Sequence, residues 1–334
     1  MNQKSDTSSN VEPLVPTVDS SSVGSRSKSL GLNIRRNIIY LGFVLVFVAF
    51  AVFLRNEGFL SATNLLNVLR QTAIITVIAV GMTFVIGGAE IDLSVGSVAG
   101  ISSVTAAIAI AHAGPVAGVI AGVTIGLLIG AVNGALVAFV KIPSFLVTLA
   151  MMGIAAGVAQ WVTKSAPQPI LNDTFNWIFG GGKIGPVPVL VIWSLVAVVV
   201  GHIVLKHTRY GRQVVSAGAN PTAAAYSGIN VRNIKFTIMM SSATIAAIAG
   251  MLYAGRLQSG RYQWGSGDEM SAIAAVILGG TALSGGRGSI IGTLVGALLM
   301  GVINNGLILA GLDTAQQTVV RGAVIILAVA LAKK

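Results

Sequence analysis

The stretch KHTRYGRQVVSAGANPTAAAYSGINVRNIK, residues 206–235, holds Lys206, Arg209, Arg212, Arg232 and Lys235, contains no acid, and lies between long apolar segments. A basic loop between two hydrophobic spans belongs on the cytoplasmic side of a membrane. Its centre, Asn220 to Gly228, reads as a short helix. Asn220 suits the N-cap, Pro221 the first helical position, and Gly228 the residue past the end. Three alanines between them, Ala224 in the middle, favour helix. Such a helix outside the membrane reads as a handle for a cytoplasmic partner, and the alternative is a charged anchor that only fixes topology. Arg209, Arg212 and Gly218 flank the helix on its N-terminal side.

Composition widens this to the whole chain. Of 334 residues, 54% are hydrophobic and only 9% charged, where soluble domains carry roughly a quarter charged residues. The chain is therefore all-α and polytopic, a transmembrane helical bundle. It has no cysteine, which excludes disulfides and thiolate chemistry. The net charge of +11 follows from basic cytoplasmic loops and does not indicate nucleic acid. Forty-one glycines fit close helix packing in lipid.

Residues 1–34, rich in Ser, Thr, Pro and Asp, are expected to form a disordered cytoplasmic tail, with the transmembrane domain over 35–334. With roughly 20 apolar residues per span, about ten helices are expected: near 38–54, 65–86, 94–113, 116–140, 144–162, 187–205, 236–255, 268–283, 289–310 and 319–332. The eighth is short and reads equally as a broken or re-entrant segment. Ten spans put both termini and the 206–235 loop inside, with 14 basic residues inside and 7 outside. Eight or nine crossings plus a re-entrant pair remain the alternative. Residues 163–186 form one long external loop, either a lid and docking surface or a plain connector.

Polar residues at membrane depth mark candidate sites. GGAEIDLSVGS, residues 87–97, places Glu90 and Asp92 between two spans. Carboxylates there are expensive and persist where they meet water or a partner. They either line a translocation pathway together with Ser94, or cap the helix that starts at Ser94. Asn133 and Asn305 put amides deep in two helices, for pathway lining or for helix association. Residues 279–292 align without gaps on 87–100, a repeat of the kind transporters contain. Arg256 and Arg261 follow the seventh span and are expected outside, where a partner's acids can dock. No catalytic set emerges. The three histidines lack metal-ligand spacing, and Gly285-Gly286-Arg287-Gly288-Ser289 lacks the lysine of a phosphate loop. No metal or cofactor is expected in this chain, and any ATP would be bound by another polypeptide.

Together the motifs VGMTFVIGGAEIDLSVGS (80–97), KIPSFLVTLAMMGIAAGV (141–158), TRYGRQVVSAGANPTAAAYSGINV (208–231) and EMSAIAAVILGGTALSGGRGSIIGTLVGALLMGVINNGL (269–307) resemble the membrane subunit of ribose-type sugar importers of the ATP-binding-cassette superfamily. The resemblance runs from about residue 38 to the end. It departs at Ala89-Glu90, where many relatives carry Gly-Ile before the Asp-Leu-Ser-Val-Gly run. It implies a bacterial inner-membrane permease without catalytic activity that moves a monosaccharide inward. Its implied partners are a second permease copy, a cytoplasmic ATPase that receives the helix near 220–228, and an extracytoplasmic sugar-binding protein. The alternative is a stand-alone secondary transporter or channel using Glu90 and Asp92 as an ion relay.

Overall fold

The computed structural model describes residues 40–332, so the expected tail over 1–34 lies outside the described residues. Among the described residues, six helices are long and apolar enough to cross a membrane. The described fold is an all-α membrane bundle.

Helix α1, Tyr40–Phe53, is followed by α2, Ala62–Gly87, which starts where Ser61 Oγ accepts the Asn64 N–H and is buried over most of its length. Helix α3, Val95–Ala135, is interrupted at Gly114 (φ 83°, ψ 179°), just before Pro115. The chain reverses there. Ser102 Oγ donates to the Gly122 carbonyl at 3.1 Å, and Asn133 Nδ2 to Ser94 Oγ at 3.1 Å. A straight helix rising 1.5 Å per residue would hold these pairs about 30 and 60 Å apart. The two legs are two antiparallel helices, and the break between them falls where the sequence separates 94–113 from 116–140.

Helix α4, Ser144–Thr163, leads into the expected outer loop, which is ordered. It carries the one-turn helix α5, Asp173–Asn176, and the strand pair β2 (Lys183–Ile184) and β3 (Val187–Pro188). Stacked rings of Phe175, Phe179 and Trp193, with centroids 4.7 and 5.4 Å apart, form its core. Helix α6, Val189–His207, returns to the opposite end. Two short helices follow there, α7 (Arg209–Ala219) and α8 (Pro221–Tyr226), before α9, Val231–Leu257, crosses back.

Glycines set how closely α9 packs against the second leg of α3. A Cβ on Gly126 would sit 2.5 Å from Ala247 Cβ, and one on Gly130 or Gly134 would sit 2.7 Å from the α9 backbone at Met240 or Phe236. Three glycines at four-residue spacing thus form a groove into which α9 sinks.

After α9 the chain does not continue as a helix. Ser259–Gly260, strand β4, pairs antiparallel with β1, Gln168–Pro169, of the outer loop. Residues 261–267 then descend along the first leg of α3 to α10, Asp268–Leu278. The segment expected to span over 268–283 is therefore an 11-residue helix, about 16 Å long, half of a ~30 Å hydrocarbon core. The segment before it, residues 261–267, is non-helical. Helix α11, Ile290–Leu309, crosses back, and α12, Thr314–Ala332, packs along α10.

The gapless repeat is only partly kept. Both α2 and α10 close with the same turn: Ala89 N–H donates to Ile86 O and Glu90 N–H to Val85 O, while Gly280 N–H donates to Ile277 O and Thr281 N–H to Val276 O. The residues with positive φ are Ala89 (61°) and Gly280 (86°). These equivalents lie one residue out of the gapless register. The second connection is also longer, since α3 starts at Val95 and α11 at Ile290.

Candidate functional site

At the end of the bundle formed by α7 and α8, local signals in the sequence act as read. Asn220 Oδ1 accepts the Ala223 N–H at 3.0 Å, Pro221 opens α8, and Gly228 has φ 83°. The flanking helix α7, capped by Thr208 Oγ1 on the Gly211 N–H, has a polar, basic sequence that by itself reads as loop. Arg209 and Arg212 are exposed on it. Gly218 abuts the Gly87 carbonyl so closely that any Cβ would collide with it, and that same carbonyl accepts the Gly286 N–H at 3.0 Å. Three glycine-containing segments thus meet by backbone contact: the end of α2, the end of α7 and the α10–α11 connection. Within α8 the alanines divide. Ala224 is only 4% exposed and packs inward, while Tyr226 is 90% exposed and Pro221, Thr222, Ala223 and Ala225 face out.

The expected pathway residues sit deeper. Asp92 is fully buried; its Oδ1 accepts Ser94 N–H (2.9 Å) and Ser94 Oγ–H (2.6 Å), and its Oδ2 accepts Ser242 Oγ–H (2.9 Å) from α9. Ser94 in turn accepts from Asn133. Glu90 is buried and paired with Lys235 Nζ at 2.5 Å. Ile91 and Leu93 donate their N–H groups to Ser144 Oγ and Thr148 Oγ1 of α4, both at 3.0 Å. The connection from Gly88 to Ser94 is therefore a strut tying α9, α3 and α4 together. Lys235 and Ser242 were the partners that spacing did not reveal, since both lie more than 140 residues away. Asn305 and Asn64 form a reciprocal amide pair between α11 and α2, at 3.0 and 2.8 Å.

Arg256 is half-buried at the end of α9, where the Gly180 backbone of the outer loop presses on it. Arg261 is exposed, with its guanidinium 5.4 Å from the Trp264 ring centre. An apolar cleft of about 320 Å³ between α2, α6 and α9 is lined by residues such as Val80, Phe84, Val200 and Ile245. It offers no convergent polar groups.

Long apolar helices, glycine-mediated packing and a capped helical handle beyond one end define a multi-pass α-helical membrane transport subunit. The family described as branched-chain amino acid transport system, permease component, matches residues 64–329. The ribose import permease protein of Bacillus subtilis (strain 168) is 42% identical over 298 residues, 88% of this chain and 92% of that protein. The ribose import permease protein of Escherichia coli (strain K12) is 39% identical over 288 residues, 84% and 88% of the two chains. The xylose transport system permease protein of Haemophilus influenzae is 34% identical over 367 residues, 90% and 96%. No solved structure matches the chain. The chain belongs to this permease family and is an inner-membrane permease of the ribose-type ATP-binding-cassette importers.

Proposed function

We propose that the chain moves a monosaccharide, of the ribose or xylose type, into the bacterial cytoplasm. A separate cytoplasmic ATPase drives it, an extracytoplasmic sugar-binding protein delivers the solute, and two copies form the working membrane unit. The α7–α8 end is cytoplasmic, both termini lie on that side, and the chain crosses ten times, with the descent through 261–267 and α10 as one broken crossing.

The observation that carries this reading is α8. A six-residue helix with its own cap cannot persist alone in water. It is held by Ala224 from behind and presents Tyr226 and the outer alanines to solvent, with Arg209 and Arg212 beside it for acidic groups on an ATPase. Sugar as solute rests on the relatives named for ribose and xylose import. Arg261 at the outer face is the proposed contact for the binding protein, with Arg256 supporting it beneath the outer loop. The relay reading for Glu90 and Asp92 gains nothing from the geometry, because Lys235, Ser94 and Ser242 already occupy them.

Purification of the tagged permease from its native membrane is expected to bring an ATPase subunit in a fixed ratio. Liposomes holding that complex should take up sugar only with ATP inside and loaded binding protein outside. Uptake by the permease alone would overturn the assignment.

A further inference from the structure

Of the groups expected to line the pathway, Glu90, Asp92, Ser94 and Asn305 are paired inside the protein and Asn133 is buried with only its Nδ2 bonded, whereas the descent from α9 to α10 carries exposed polar side chains. Its depth follows from its neighbours. Gly265 lies against Gly96 and Ala99 of α3. The same part of α3 meets the middle of α9: Gly250 abuts Ala99, and Asp92, just before α3, bonds Ser242. The 27-residue α9 is long enough to cross the bilayer, so residue 265 sits near mid-depth and not at a surface.

The backbone here is non-helical and tightly fastened. Ser103 Oγ donates to the Arg261 carbonyl at 3.0 Å and accepts the Arg261 N–H at 3.1 Å. Trp264 Nε1 donates to Ser259 O at 2.8 Å. Gly265 and Gly267 both have φ 85°, and the Tyr253 hydroxyl donates to Asp268 at 2.6 Å where α10 begins. Yet Gln263 and Ser266 are exposed, and among the described residues neither the Gln263 amide nor the Ser266 hydroxyl bonds to a protein group. Irregular backbone at membrane depth persists only where protein buries it or water lines it. Exposed polar side chains leave the second case.

We infer that the face carrying Gln263 and Ser266 lines the solute pathway and contacts the sugar during passage. This rests on the transport reading above and assigns that function to particular residues. A neutral carboxamide and a hydroxyl pair with sugar hydroxyls as both donors and acceptors. The indole of Trp264, stacked with Tyr253 at 6.5 Å, adds an apolar wall for sugar C–H groups. Gln263 and Ser266 carry no charge themselves, and their chemistry suits a neutral polyhydroxylated solute, with the Arg261 guanidinium 5.4 Å from the Trp264 ring centre the cation beside them. The fastening to Ser103 and Asp268 holds this face in place while the solute passes. The β1–β4 ladder joins the top of the segment to the outer loop.

The chain lacks cysteine, which makes the test direct. Gln263→Cys and Ser266→Cys are introduced singly into the complete transporter in liposomes and exposed to a permanently charged methanethiosulfonate. Leu195→Cys and Val199→Cys, on the exposed apolar face of α6, are the dry controls. Gln263→Cys and Ser266→Cys are expected to react at least about tenfold faster than the controls, and reaction should abolish uptake. In parallel, Gln263→Ala should lower sugar uptake about tenfold while the ATPase subunit remains bound at its normal ratio. Thiols as unreactive as the controls, or spontaneous cross-linking of Ser266→Cys between two copies without reagent access, would overturn the inference. If instead the ATPase subunit fails to co-purify with the unmutated chain, it is the transport assignment that fails.

Discussion

At the scale of single residues, Asp92 and the Asn64–Asn305 amides are paired inside the protein, and the pairing predicts what their removal does. Asp92 accepts three hydrogen bonds from Ser94 and Ser242 with no solvent access. Asp92→Ala would strand those donors, each worth about 1–3 kcal/mol when buried and unsatisfied. The purified complex is expected to melt several degrees lower. Asp92→Asn keeps one oxygen for Ser94, and Ser242 can rotate its hydroxyl to accept from the new amide, so its melting temperature should stay near normal. If that variant still loses uptake per assembled complex, the charge itself serves transport. The Asn64–Asn305 pair behaves differently. Interhelical hydrogen bonds in membranes contribute about 0.6 kcal/mol on average, up to about 1.7, so a double-mutant cycle to alanine in detergent unfolding should give a coupling in that range. A coupling of zero would mean that the two amides do not hold α2 and α11 together.

At the scale of elements, what was legible in the sequence is what local chemistry fixes. Asn220, Pro221 and Gly228 announced α8 because capping and turn geometry are settled within a few residues. The Gly114-Pro115 reversal fell between two spans because an apolar run of double length must fold back in a bilayer. The alanines of α8 were not legible as two sets, since which side packs depends on α7 and α9 behind it. That distinction changes the mutational expectation. Ala224→Glu would force a carboxylate into a 4% exposed site and lower the yield of folded permease. Tyr226→Glu lies on the open side and should leave the permease intact while the bound ATPase subunit falls by at least about fivefold. Equal yield and normal ATPase recovery for Tyr226→Glu would remove α8 from the interface. The broken descent was half legible. The shortness of 268–283 showed that something was broken, but that Ser103 and the outer loop hold residues 259–267 in place is a matter of contacts 90 to 160 residues apart in sequence, which no periodicity records.

At the scale of the whole molecule, sidedness is the property on which every other assignment hangs. The ends of α2, α7 and the α10–α11 connection meet at Gly87, Gly218 and Gly286, so they share one side. The outer loop packs on the opposite end of α9 through Gly180 and Gly255, so it takes the other. This places residues 216 and 174 on opposite faces whatever the number of crossings, and the positive charge of the 206–235 loop assigns the first to the cytoplasm. Ser216 and Thr174 are both exposed, and Thr174 is preferred over its neighbour Asn172, whose Oδ1 caps α5 on the Phe175 N–H. Single cysteines at the two positions, in a chain with none of its own, are expected to separate cleanly. An impermeant maleimide should modify Thr174→Cys in intact cells, and Ser216→Cys only after the membrane is opened. The opposite pattern would invert the molecule, putting α8 beyond reach of any cytoplasmic ATPase and overturning the coupling assignment with it. Labelling of both in intact cells would contradict the bundle itself, because the two ends of α9 cannot lie on one side of a bilayer that a 27-residue helix spans.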